Sequence, residues 1–119
     1  MASQNYRDLV VWQRAMDLAE SVHRATRTWP KEELYGLTSQ VRRSAASVPA
    51  NIAEGQGRTG KKEFLHFLSV AHGPLRETET HLMLALRLDF YTEPIFAPIM
   101  NQAAEVGRLL NGFMRRLRE

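Results

Sequence analysis

Residues 40–58 read QVRRSAASVPANIAEGQGR, and the fold turns on whether they form one helix. Val41, Ala45, Val48 and Ile52 recur with 4-3-4 spacing, the pattern of a helix with a single apolar stripe. Pro49 sits inside that pattern. Proline cannot donate to the carbonyl of Ala45 and its ring crowds the same turn, at a cost of about 3 kcal/mol that packing must offset. Ala45, Ala46, Ser47, Ala50 and Ala53 surround it, and small side chains let a second backbone come close. Two readings follow: a tight helix–helix contact, or a bend whose freed carbonyl is solvated. Arg43, Ser47, Ala50 and Glu54 fall opposite the stripe. Half of these are small, where a solvated face carries lysine and glutamate. Ser47, Pro49 and Ala50 are therefore candidates for a contact between copies. Gly55 and Gly57 are expected to supply the left-handed cap that ends the helix.

Working outward, three more helices are predicted and no segment sustains strand alternation. The first runs from about Asp8 to Thr28. Leu9, Trp12, Met16, Ala19 and Thr26 form one stripe, and Val11, Ala15, Leu18, Val22 and Ala25 lie beside it. Trp29-Pro30 ends it, because a residue before proline is pushed out of the helical region. The helix around Pro49 begins at Leu34 or Leu37, with Gly36 weakening its first turn. The third runs from about Gly60 to Asp89 with Thr59 as N-cap. Its stripe is Phe64, Leu68, Ala71, Leu75, Thr78, Leu82 and Ala85. The fourth runs from about Pro94 to Arg118 along Ile95, Ile99, Ala103, Val106, Leu110, Phe113 and Leu117, with Pro94 in the first turn. Short connections favour antiparallel neighbours, so the expected fold is all-α, an antiparallel up-down-up-down four-helix bundle forming a single domain over residues 1–119.

The run HLMLALRLDF, residues 81–90, puts leucine and methionine all around the third helix. A helix apolar on every side is buried on every side. A lone four-helix domain exposes one face of each helix, so a homo-oligomer is the simplest cover. Met83, Leu84 and Leu88 join the contact candidates.

Composition bounds the chemistry. The 119 residues include no cysteine, which excludes disulfides, thiolate catalysis and cysteine–zinc sites and suits a reducing compartment. No signal peptide is visible and no apolar run approaches the ~20 residues of a membrane span, so a cytoplasmic location away from membranes is expected. Sixteen basic residues face thirteen acidic ones, for a net charge of +3. Their placement says more than their number. Arg108, Arg115, Arg116 and Arg118 crowd the C-terminal helix, Arg58, Lys61 and Lys62 crowd one turn, and Arg42 and Arg43 are adjacent. These nine are the candidate nucleic-acid-binding residues. Copies joined in an oligomer would multiply each basic spot, and every phosphate contact adds affinity that salt removes.

Other motifs carry less. GQGRTGKK, residues 55–62, nearly spells a phosphate loop, but Lys62 stands where a magnesium-binding hydroxyl is needed and no strand precedes it. The turn either grips a phosphate at the amino end of the third helix or is an ordinary solvated turn. His23, His66, His72 and His81 include no i, i+4 pair, so no metal site is expected. His72 reads as a hydrogen-bonded interior residue. Glu77 and Glu79 point apart on their helix and cannot share acid–base work. No serine has a visible base partner. The chain reads as a non-enzyme without catalytic residues or cofactor.

Four motifs together resemble a known family. They are Tyr6-x-x-Leu9-x-x-Trp12; Pro30-x-x-Glu33-x-Tyr35-Gly36-Leu37-x-x-Gln40-x-Arg42-Arg43; Ser47-Val48-Pro49-Ala50-Asn51-Ile52-Ala53-Glu54-Gly55-x-Gly57-Arg58; and Gly73-x-Leu75-x-Glu77-x-Glu79-Thr80. Over roughly residues 6 to 90 the chain resembles the bacterial four-helix-bundle proteins named for intervening sequences in large-subunit ribosomal RNA genes. Relatives of that family include accessory proteins of diversity-generating retroelements. The resemblance implies a homo-oligomer, a pentameric ring in known relatives, and the basic nucleic-acid-binding surface reported for the retroelement members. Arg42, Arg43 and Arg58 occupy motif positions, and Glu54, Glu77 and Glu79 are expected to pair with arginines. Pro74 departs from the family, which usually has serine there.

The functional expectation is a homo-oligomer that holds structured RNA, or an RNA–protein complex, on its pooled basic surface. The alternative is a protein–protein scaffold whose partner is a protein such as a reverse transcriptase.

Overall fold

The computed structural model describes residues 5–119, so the first four residues of the expected domain lie outside the described residues. Four α-helices account for most of the chain: α1 (Val10–Ala25), α2 (Leu37–Gln56), α3 (Lys61–Arg87) and α4 (Glu93–Arg118). Short 3-10 turns cover Tyr6–Asp8, Thr26–Thr28 and Lys31–Glu33, and no strand occurs among the described residues. The body measures 48 × 24 × 20 Å. Each helix packs on two others, α1 and α3 both lying against α2 and α4. The α2–α3 contact is the most extensive.

The stripe around Pro49 is the centre of the core. Val41, Ala45, Val48 and Ile52 are all at 0% exposure, and Pro49 is buried beside them. They meet Leu68, Ala71, Leu75, Leu82 and Ala85 of α3, Leu18 and Val22 of α1, and Ala103, Val106 and Leu110 of α4. Two hydroxyls lie between α2 and α3, Ser44 Oγ and Thr78 Oγ1, 2.7 Å apart. Each also reaches a carbonyl of its own helix, Val41 and Pro74 respectively. A second cluster closes the far end. Trp29 packs its ring against Phe90 and Tyr91, and the buried Tyr91 hydroxyl donates to the Leu82 carbonyl at 2.9 Å. Burial pushes that phenol well above its ordinary range, so it remains a donor at any physiological pH.

Several expectations are corrected. The first helix is shorter than the span from Asp8 to Thr28. Asn5 Oδ1 accepts from the Arg7 amide, while the Thr26 and Thr28 hydroxyls donate back to the carbonyls of His23 and Ala25. Such local bonds tighten helix ends into 3-10 turns. Its buried set is Val11, Ala15, Leu18 and Val22, and Met16 of the other stripe is exposed. Of the two expected starts of α2 the structure has Leu37, since Gly36 has a non-helical backbone; Glu33 Oε1 accepts the Leu37 amide at 3.2 Å. Gly57 caps α2 with an ordinary right-handed φ of −78°, and Gly55 is inside the helix. The left-handed glycine is Gly60 (φ 99°), which takes the N-cap position of α3 assigned to Thr59. In α4, Pro98 lies inside the helix, Ile95 is exposed, and Gly107 and Met114 join the buried face.

Helix α3 ends at Arg87, two residues before the expected Asp89. The Phe90 amide donates to the Ala85 carbonyl and the Asp89 amide to that of Leu86, each at 3.0 Å. This is the Schellman pattern, and its left-handed position is filled by Asp89 at φ 62°. Glycine removes that Cβ conflict. Asp89→Gly is expected to stabilise the fold by about 0.5–1 kcal/mol, readable as a rise in Tm of a few degrees; an unchanged or lower Tm would refute it.

Candidate nucleic-acid interface

The nine basic candidates separate into three groups. The first gathers at one end of the protein. Phe64, in the first turn of α3, packs edge-on against Phe113 of α4 with ring centroids 5.3 Å apart. This contact brings Lys61 and Lys62 to the same end as Arg115, Arg116 and Arg118. Arg58 joins them, its guanidinium 5.1 Å from the Phe67 ring centroid, and Arg116 lies similarly over Phe113. Arg58, Lys62, Glu63, His66 and Phe67 line an open groove of about 550 Å³. Arg108 stands further up α4, about 15 Å from Arg118 by helical rise.

The third group is elsewhere. Arg42 lies about 20 Å up α2 from its end, where its Nε donates to Thr26 Oγ1 at 2.8 Å and its NH2 to the His23 carbonyl at 3.4 Å. It ties α2 to the end of α1, and that internal role was not legible in the sequence. Arg43 is exposed beside it. At a Debye length of about 8 Å in physiological salt, this pair does not add to the field at the basic end.

Carboxylates temper the picture unevenly. Glu54 pairs with Arg58 at 2.6 Å and Glu79 with Arg76 at 2.9 Å, as expected, but Glu77 pairs with no arginine among the described residues. Lys61, Lys62, Arg108, Arg115, Arg116 and Arg118 make no ion pair among the described residues. The C-terminal arginines suit the negative pole of α4. The two lysines do not suit α3, because they sit at its positive pole beside unpaired N–H groups, with no side-chain cap. Only Glu63 opposes them in that turn. A local conflict of this kind marks a surface that gains by meeting an anion.

The contact candidates on α3 gather at the opposite end. Leu84 is 44% and Leu88 50% exposed at the end of α3, with Met83 similar. Leu34 and Tyr35 precede α2 and Ile95 opens α4, all exposed. Ala50 is exposed on α2 and Ser47 half-buried, while Pro49 is corrected: it is buried in its own chain and offers no surface. Among the described residues no group of acids and histidines could hold a metal ion. No helix among the described residues is long and apolar enough to cross a membrane.

Two histidines hold their protons weakly. For His72 burial is the main cause and Arg76 adds to it, against a hydrogen bond with Asn111. For His23 burial again leads, followed by Arg42 and Arg27. Both folded values lie below the ordinary 6.5, so the unfolded chain takes up these protons first. Stability from this source is complete above pH 6.5 and falls as pH drops through that value. A lower Tm at about pH 5.5 than at about pH 7.5 is expected, with His72→Asn narrowing the difference; an unchanged gap would assign it to other groups.

Comparison with known proteins follows the motifs. A family model described as 23S rRNA-intervening sequence protein matches residues 7–112. A crystal structure from Bacteroides thetaiotaomicron, described as a protein with unknown function from the S23 ribosomal protein family, is similar with a TM-score of 0.79. The two chains share 24% identity over 88% of this chain and 98% of that one, a likeness of fold. No curated protein matches the chain.

Proposed function

Since the chain belongs to the 23S rRNA-intervening sequence protein family, we propose that it is a non-enzymatic homo-oligomer that binds structured RNA. On this reading it is an antiparallel up-down-up-down four-helix bundle. The Phe64–Phe113 contact between the start of α3 and the end of α4 supports that direction of helices, as does the Arg42–Thr26 bond between α2 and the end of α1. The observation that carries the RNA reading is the gathering of Lys61, Lys62, Arg115, Arg116 and Arg118 at one end with no ion pair among the described residues. Phosphates supply the missing counter-charge, and aromatic rings beneath Arg58 and Arg116 hold two guanidinium groups in place.

Self-association joins the other end. Met83, Leu84 and Leu88 bury their apolar surface against a second copy, and a ring of five pools five basic ends. Light scattering is expected to give a mass about five times the 13.6 kDa chain. Leu84→Glu with Leu88→Glu is expected to return it to a monomer of unchanged helix content and to weaken RNA binding by loss of avidity, on the order of 10²-fold. Mobility shifts of a structured RNA in rising salt test the function itself. Absence of any shift at low salt would overturn it and favour the scaffold reading.

A further inference from the structure

We infer that a small cavity between the end of α1 and the start of α2 is a binding site for a single phosphate group. The cavity holds about 100 Å³. That space admits a phosphate group. Arg27, Lys31 and Arg42 are in its wall, with Thr26, Trp29 and Thr38, and no carboxylate lines it. The acids next in the chain are Glu32 and Glu33, and Glu33 already accepts the Leu37 amide.

The donors of this wall are incompletely used. Trp29 is 4% exposed, and its indole Nε1 is buried with no hydrogen-bond partner among the described residues. That nitrogen lies behind the wall, closed even to water, so Trp29 lends the site its ring edge. Arg42 uses Nε and one NH2 hydrogen on Thr26 and His23, leaving the rest of its five N–H groups. Arg27 and Lys31 make no ion pair among the described residues. Three cations around a small space match an oxyanion that carries up to two charges and accepts from several directions. The arginines also act on their surroundings: after burial, Arg42 and then Arg27 depress the His23 proton affinity. Arg42 is also held by Thr26, so this donor is oriented before any ligand arrives.

This site is independent of the RNA reading, since it lies far up α2 from the basic end. The phosphate is either free or the terminal phosphate of a nucleic acid. The test is titration of ¹⁵N-labelled protein with inorganic phosphate at constant ionic strength, following the two indole N–H signals. The Trp29 signal is expected to move to saturation while Trp12, packed on Tyr6 at the opposite end, stays still. Arg27→Gln and Lys31→Gln, both exposed positions, are each expected to weaken binding about fivefold with no change in Tm. A 5′-phosphorylated oligonucleotide is compared with its 5′-hydroxyl form. Stronger binding of the phosphorylated form assigns the site to nucleic-acid ends, and a response to inorganic phosphate alone assigns it to the free ion. A Trp29 signal that does not move at tens of millimolar phosphate, that follows chloride equally, or that saturates identically in both variants overturns the proposal.

Discussion

Gly55→Ala is expected to destabilise the protein although it replaces glycine with the best helix former. Gly55 is buried in the last turn of α2. A Cβ there would lie 2.6 Å from Phe67 Cβ and 3.1 Å from Phe64 Cδ1. The closer atom is fixed to the backbone of α3 and cannot swing aside, so the helices must part. Overpacking of this kind costs about 1–3 kcal/mol, more where Phe64 also carries the Phe113 contact. Helix propensity returns up to about 1 kcal/mol. The net loss of about 1–2 kcal/mol corresponds to a fall in Tm of about 5–10 °C. Gly112 is the control: it lies inside α4, where an added Cβ would meet only the ends of Arg115 and Arg116, at 3.8–3.9 Å. Gly112→Ala is expected to stabilise by about 0.5–1 kcal/mol. Opposite signs at two helical glycines cannot come from propensity. If Gly55→Ala melts at or above the parent temperature, the close approach of α2 and α3 is wrong.

The second large effect is on RNA binding. Replacing Lys61, Lys62, Arg115, Arg116 and Arg118 together by glutamine removes the cations at the basic end. Each lost contact lowers the slope of log affinity against log salt by about 0.9 on a duplex and 0.7 on a single strand. Affinity at low salt is expected to fall on the order of 10²-fold or more, with Tm held. Removing the two lysines relieves the amino pole of α3, which offsets the loss of the arginines from the carboxyl pole of α4. Arg43→Gln is expected to leave RNA binding within about twofold, since its charge is screened from that end. Arg42→Gln instead lowers stability by about 1 kcal/mol, because it breaks the bond to Thr26. Should Arg43→Gln impair binding as much as the five-fold variant, the surface has been placed on the wrong part of the molecule.

The candidate site was legible residue by residue and not as a site. The sequence named Arg58, Lys61, Lys62, Arg115, Arg116 and Arg118, but in two clusters with nothing to join them. Phe64 and Phe113 read only as core positions, and their contact is what unites the clusters. Arg42 looked like its neighbour Arg43, since adjacency in sequence does not reveal that Thr26 lies within bonding distance. The Trp29 cavity left no sequence signal, because Arg27, Lys31 and Arg42 fall on three separate elements. Gly55 was readable as special but was given the wrong reason: glycine serves both turns and close approach, and local pattern does not tell them apart.

By itself the sequence determined that this chain is helical, where its helices run to within a turn, and which stripe of α2 and α3 is buried. Those properties follow from periodicity and local backbone preference, which act over a few residues. Only the tertiary structure decided which charges share an end, which arginine serves the fold, and which glycine lies against a neighbouring helix. Each of those depends on an atom of another helix, at a distance that local sequence does not encode.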